Sequence, residues 1–176
     1  FIALMGYFAY FETVKSEDFI NSPYNARQDS FSSSTIRGKI MGSAGEPLAE
    51  SNIDAEGNEV RTYPYRNLFA HVVGYSTHGK LGVESAANFN LLRSNSFFLE
   101  RIVNEIRGEK NTGDDVVTTL NVSLQQVAYD ALGEHNGAVV VMEPSTGKIL
   151  AMVSKPDFDP NDVAANWEAI SGDSES

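Results

Sequence analysis

Ser145 and Lys148 are the one serine–lysine pair whose spacing could do chemistry. They stand in Ser145-Thr146-Gly147-Lys148, an S-x-x-K pattern. On a helix that spacing puts the amine one turn from the hydroxyl, where it can take the serine proton and leave an acyl-accepting nucleophile. The neighbours argue for a different backbone. Pro144 and Gly147 bracket the pair, and runs rich in Val and Ile lie on both sides, so a β-turn between two strands is expected. A turn does not hold the two groups in the activating geometry.

Other chemical patterns are weaker. Gly74-Tyr75-Ser76-Thr77-His78-Gly79-Lys80-Leu81 nearly matches a phosphate-binding loop, but Leu81 stands where a magnesium-ligating Ser or Thr is needed. His71, His78 and His135, the only histidines, lack metal-ligand spacing. Asp114-Asp115 and Asp157/Asp159 are carboxylate pairs in loops, with no sequence sign of a pocket that would separate their pKa values. Asn121-Val122-Ser123 reads as a glycosylation sequon by letters, and a helix start explains it more simply. No cofactor and no metal site is implied.

Composition narrows the classes. With 24 acidic against 13 basic residues the net charge is −11, which argues against nucleic acid as a partner. Cysteine is absent, so disulfides, thiolate zinc sites and cysteine nucleophiles are excluded. A hydrophobic content of 41% is enough for a core in a chain of 176 residues. Phe1–Phe11 is apolar throughout, against the roughly 20 residues a membrane-spanning helix needs. We expect the outer end of a membrane anchor there, followed by a polar linker over residues 12–34.

The elements that would carry these residues can be read from pattern. Ile36–Ala49 reads as a hairpin, with Ile40 in its first strand and Leu48 in its second. Residues 54–59 read as a turn, and residues 60–65 and 68–73 as short strands rich in β-branched and aromatic residues. Residues 94–107 carry apolar side chains at helical spacing, with Gly108 as the stop. Residues 109–115 read as a charged loop and 116–120 as a strand. A helix over residues 123–132 would be capped by Ser123 with Gln126 and closed by Gly133. Residues 137–153 read as a hairpin turning at Pro144–Gly147. Residues 157–176 read as an acidic, frayed tail.

Three short motifs follow one another along the chain: Arg37-Gly38-Lys39-Ile40, Arg61-Thr62-Tyr63-Pro64, and Gly79-Lys80-Leu81-Gly82-Val83-Glu84. They resemble the R-G-x-I, R-x-Y-P and G-x-x-G-x-E motifs of the N-terminal module of class B penicillin-binding proteins. Thr118–Gln125 and Gly137–Asn161 resemble the opening of the same family's transpeptidase domain, and Tyr24-Asn25-Ala26-Arg27 resembles its segment just outside the membrane. There is one departure. The family's first motif continues Asp-Arg-Asn-Gly, where this chain has Gly42-Ser43-Ala44-Gly45.

The resemblance implies an α+β fold: a small mixed module of strands and helices, then the opening helix and β-hairpin of a transpeptidase domain. It implies an anchor and linker over residues 1–29, a dimerisation or pedestal module over 30–115, and the start of a transpeptidase over 116–176, short of the catalytic serine. The implied role of this stretch is non-catalytic: it positions the transpeptidase and binds other cell-wall synthesis proteins at the outer face of the bacterial cytoplasmic membrane. The implied substrates of the parent are peptidoglycan stem peptides, and penicillin is its trapping ligand. Arg37, Gly38, Arg61, Tyr63, Pro64, Gly79, Gly82 and Glu84 carry the motifs. An arginine fork holds a carboxylate in two places, so Glu84 is expected to pair with Arg37 or Arg61 and brace the module. Two other readings stay open: an acyl-serine hydrolase using Ser145 and Lys148, and a free-standing cell-surface interaction module. A lone hairpin would also expose Val139, Val141, Ile149 and Ala151 and favour homo-oligomers.

Overall fold

A computed structural model describes residues 1–10, 35–93 and 110–167. The expected helix over 94–107 and the Tyr24–Arg27 segment lie outside the described residues. The chain is α+β. Helix α1 (Ile2–Tyr10) is apolar in sequence and exposes Ile2, Leu4, Met5, Tyr7 and Phe8, with Phe1 exposed just before it. Its nine residues span about 14 Å, half a bilayer core. No helix among the described residues is long and apolar enough to cross a membrane.

The first module is built around a four-stranded sheet in the order β4-β3-β2-β6. Strand β2 (Ile40–Met41) runs antiparallel to β3 (Pro47–Ile53), which pairs with β4 (Glu59–Thr62) in register Ser51↔Arg61 and Asn52↔Val60. Strand β6 (Val116–Val117) lies parallel to β2 on its other side. Ile40 and Leu48 fall in the expected strands and are fully buried. Strand β1 (Thr35–Ile36) pairs in parallel with β5 (Asn111–Thr112), so the expected loop over 109–115 contains a short strand. Gly113 permits this pairing: its amide donates to the Ile36 carbonyl at 2.8 Å, and a Cβ there would stand 1.9 Å from the Leu91 carbonyl oxygen.

Residues 68–73 are helical, not a strand. A 3-10 turn (Arg66–Phe69) runs into α2 (Ala70–Val73). Phe69, Ala70 and Val73 are buried, and Leu68 and Val72 pack against the same core. That is helical spacing, and it outweighs the strand preference of the two valines. Strand β4 accordingly stops at Thr62, before Pro64. Helices α3 (Gly82–Ala86) and α4 (Asn88–Leu92) complete the module. The core is Ile40, Leu48, Ala49, Tyr63, Phe69, Val73, Leu91 and Leu120.

The second part is helix α5 (Val122–Leu132) on the hairpin β7 (Gly137–Met142) and β8 (Ile149–Lys155). The cap of α5 is Asn121 rather than Ser123: its Oδ1 accepts the Leu124 amide at 3.0 Å. Gln126 instead bonds Asp130 on the next turn. Gly133, with φ 54°, closes the helix as expected. Ala128 packs on Ala151 and Val153, with Val139 and Val141 alongside. Helix α5 therefore covers the hairpin face expected to be bare, and the exposed residues are Val140 and Met142 on the opposite face.

Candidate functional site

The three motifs meet at one carboxylate. Glu84 is fully buried at the start of α3. Its Oε2 accepts Arg37 Nε at 2.6 Å, and its Oε1 accepts Arg61 Nε at 2.8 Å. The sequence expected one pair, and both form together. Arg37 spends its remaining donors on Asn88 Oδ1 at 2.6 Å and the Glu84 carbonyl at 2.7 Å. Arg61 Nη1 donates to the Gly38 carbonyl at 2.8 Å and to Ser51 Oγ at 3.1 Å. Two guanidinium groups share a single carboxylate, so backbone carbonyls and Asn88 must absorb the surplus positive charge. Arg61 Nη2 is buried with no hydrogen-bond partner among the described residues.

Glycines set the approach distances. A Cβ on Gly38 would stand 2.1 Å from the Asp114 carbonyl oxygen. Gly82 (φ 60°) lies where a Cβ would meet the Val72 carbonyl at 2.5 Å, so α3 starts against α2 and aims Glu84 inward. Gly79 (φ 107°) makes the turn before it. Tyr63 completes the cluster, with its hydroxyl 3.3 Å from Glu84 Oε1 and 3.4 Å from Ser76 Oγ. Burial first, and then the negative charge of Glu84, push its phenol up to about 12. The hydroxyl therefore stays protonated and donates to Glu84.

Strand β4 ends two residues before Pro64, and the backbone of Tyr63 between them meets the second part of the chain. The Tyr63 amide donates to Asn161 Oδ1 at 2.9 Å, and Asn161 Nδ2 donates to the Tyr63 carbonyl at 3.0 Å. A second amide clamp is Gln125 on α5, which is fully buried. Its Nε2 donates to the Leu68 and Met152 carbonyls, and its Oε1 accepts the Met152 amide. Asp157 accepts from Asn67 at 2.9 Å and from the Tyr129 hydroxyl at 2.6 Å. That hydrogen bond, ahead of burial, pushes Tyr129 up to about 12. Residues 157–167 are thus packed on the first module rather than frayed, with Val163 fully buried.

Ser145 and Lys148 lie in the exposed turn between β7 and β8. The Gly147 amide closes onto the Glu143 carbonyl at 2.9 Å, Gly147 has φ 74°, and Thr146 Oγ1 bonds the Glu143 carboxylate. No helix holds the lysine one turn from the serine. His71 Nε2 donates to the Pro156 carbonyl, and His78 stacks on Trp167. Neither is part of a metal cluster, and none exists among the described residues. Asp115 accepts the Lys39 amide, and Asp159 accepts from Asn161. The Gly42–Gly45 departure is compensated locally: Glu46 Oε2 accepts the Ala44 amide at 3.2 Å and fills the space beside Gly42.

Sequence reasoning missed Asn88, Asn161 and Gln125. Gln125 left a signal, being polar at the face position that Ala128 and Leu132 continue. Asn161 left none, since its partner is 98 positions away.

Comparison with known proteins fits this geometry. The family model for the penicillin binding protein A dimerisation domain matches residues 37–116, which hold the whole Arg37–Glu84–Arg61 cluster. The model for the penicillin binding protein transpeptidase domain matches residues 137–172. The chain belongs to the class B penicillin-binding proteins. Peptidoglycan D,D-transpeptidase PbpA of Mycolicibacterium smegmatis is 38% identical over 157 residues, 80% of this chain and 32% of the relative. Peptidoglycan D,D-transpeptidase MrdA of Escherichia coli is 33% identical, covering 62% of this chain and 22% of the relative. The crystal structure of PBPA from Mycobacterium tuberculosis superposes with a TM-score of 0.68 at 34% identity, covering 81% of this chain and 36% of that one. The chain thus spans about a third or less of the length of these penicillin-binding proteins.

Proposed function

We propose that this chain is the non-catalytic N-terminal portion of a D,D-transpeptidase that cross-links peptidoglycan stem peptides, and that it positions the transpeptidase domain. The supporting observation is the joint between its two parts. Asn161 grips the Tyr63 backbone and Gln125 ties the Leu68 carbonyl to strand β8, so the hairpin that opens the transpeptidase is bolted to a module braced internally by Glu84. The anchor-and-linker, pedestal and transpeptidase segments run over 1–29, 30–115 and 116–176. The all-round apolar surface of α1 supports lipid contact at that end, and the outer face of the cytoplasmic membrane is the location that goes with the proposed cell-wall role. The pedestal is the part that would contact other cell-wall synthesis proteins, and the exposed Val140 and Met142 favour self-association of the chain on its own.

The test uses the complete gene product and a fluorescent penicillin. Labelling at a serine outside residues 1–176 supports the reading, and labelling slowed severalfold by Asn161→Ala, with the fold retained, supports the positioning role. No labelling of the complete product, or an unchanged labelling rate in the variant, overturns the corresponding part.

A further inference from the structure

Residues 156–167 lie across the first module as a strap. Their hydrogen bonds, ion pair and ring contacts with that module gather on the Tyr63–His78 stretch. The Pro156 carbonyl accepts a hydrogen bond from His71 Nε2 at 2.9 Å, and Asp157 accepts one from Asn67 Nδ2. Phe158 sits edge-on to His71 and Tyr75, with centroids 5.2 and 5.8 Å away. Asp159 faces Arg66 at 3.7 Å. Asn161 clamps the Tyr63 backbone, and Trp167 meets Tyr75 edge-on and stacks on His78 with centroids 5.2 Å apart.

Tyr63 belongs to both systems. Its backbone amide and carbonyl are held by the strap, and its hydroxyl reaches the buried carboxylate that both arginines share. We infer that strap docking and the Arg37–Glu84–Arg61 brace are one coupled unit, with Tyr63 as the coupling residue. Loosening the brace loosens the strap, and by linkage prying off the strap loosens the brace. Tyr63 is buried and packed in the core, so it cannot shift its hydroxyl without moving the backbone that Asn161 grips. A partner that moves α3, which carries Glu84, would therefore be read out at the base of the hairpin. This coupling is a property of the present chain and stands apart from the enzyme proposed above.

Trp167 is the single tryptophan of the chain, so acrylamide quenching of its fluorescence reports strap docking. Tyr63→Phe deletes the oxygen that touches Glu84 and leaves the clamped backbone in place. Asn161→Ala deletes the clamp. Ser76→Ala removes the other contact of the Tyr63 hydroxyl and serves as the control. Each of the first two raises the quenching constant at least about twofold, the double variant does no more than the stronger single, and Ser76→Ala leaves it unchanged. An unchanged constant in Tyr63→Phe, or a double-variant effect equal to the product of the singles, overturns the coupling. Native-state amide exchange in the unsubstituted chain gives an independent reading. The Tyr63 amide, bonded to Asn161, and the Ala87 amide, bonded to Val83, open together with one denaturant dependence if the unit is coupled; separate openings contradict it.

Discussion

Arg37 Nε stands 2.6 Å from Glu84 Oε2, across 47 positions of sequence, with 7% and 0% of the two side chains exposed. A pair so far from water and so far apart along the chain acts as a cross-link between the first and third motifs. Arg61 joins the same carboxylate from the second.

Removing the shared charge leaves two guanidinium groups with no anion. Glu84→Gln keeps the shape and removes the charge, and we expect a loss of about 3–5 kcal/mol in chemical denaturation. Arg37→Lys is not a conservative change here, since three donors on this guanidinium are each engaged by a different acceptor. A Glu84→Gln midpoint within error of the unsubstituted protein would show that the brace contributes nothing to stability.

Alkaline pH attacks the same cluster from another side. The Tyr63 phenol is raised to about 12 in the folded chain, so the folded state holds its proton more tightly than the unfolded one. Its contribution is whole below the unfolded value of about 10 and is lost as pH rises from there through about 12, for a ceiling of about 2–3 kcal/mol. Tyr129, shifted the same way by Asp157 but more accessible to water, adds a weaker slope in the same window. Denaturant midpoints between pH 9 and 12 are expected to fall less steeply for Tyr63→Phe than for the unsubstituted chain. Parallel curves would remove Tyr63 from the account.

Gly38 and Gly45 make a paired test of the turn and contact geometry around the first motif. A methyl at Gly38 would collide with the Asp114 backbone, whereas Gly45 faces open space and is constrained only by its φ of 90°. Gly45→Ala is expected to lose about 1 kcal/mol. Gly38→Ala is expected to lose more, about 3 kcal/mol, because neither backbone segment can yield without disturbing Arg37. Equal thermal shifts for the two would contradict the close approach.

Much of this was legible in the sequence because it rests on local pattern. Alternation placed Ile40 and Leu48 on strands, Pro144 and Gly147 marked the hairpin turn, and ordered motifs brought Arg37, Arg61 and Glu84 under suspicion as a brace. The misses share a cause. Leu68–Val73 carried strand-forming residues but faced a core that rewarded helical spacing. Asn121 and Ser123 were both acceptable caps, and only the backbone chose between them. The acidic stretch from Asp157 lacked apolar periodicity, because its docking relies on amide-to-backbone bonds and ring contacts that span most of the chain. Long-range pairing of single polar residues such as Asn161 with Tyr63 leaves no periodic trace to read.

The central functional claim is that this stretch positions a transpeptidase and does not itself acylate. Intact-mass spectrometry of the chain after incubation with a penicillin tests it most directly. The account predicts an unchanged mass, with Ser145 an ordinary turn residue. A stoichiometric adduct mapped to Ser145 would contradict it and make the Ser145–Lys148 turn an active site.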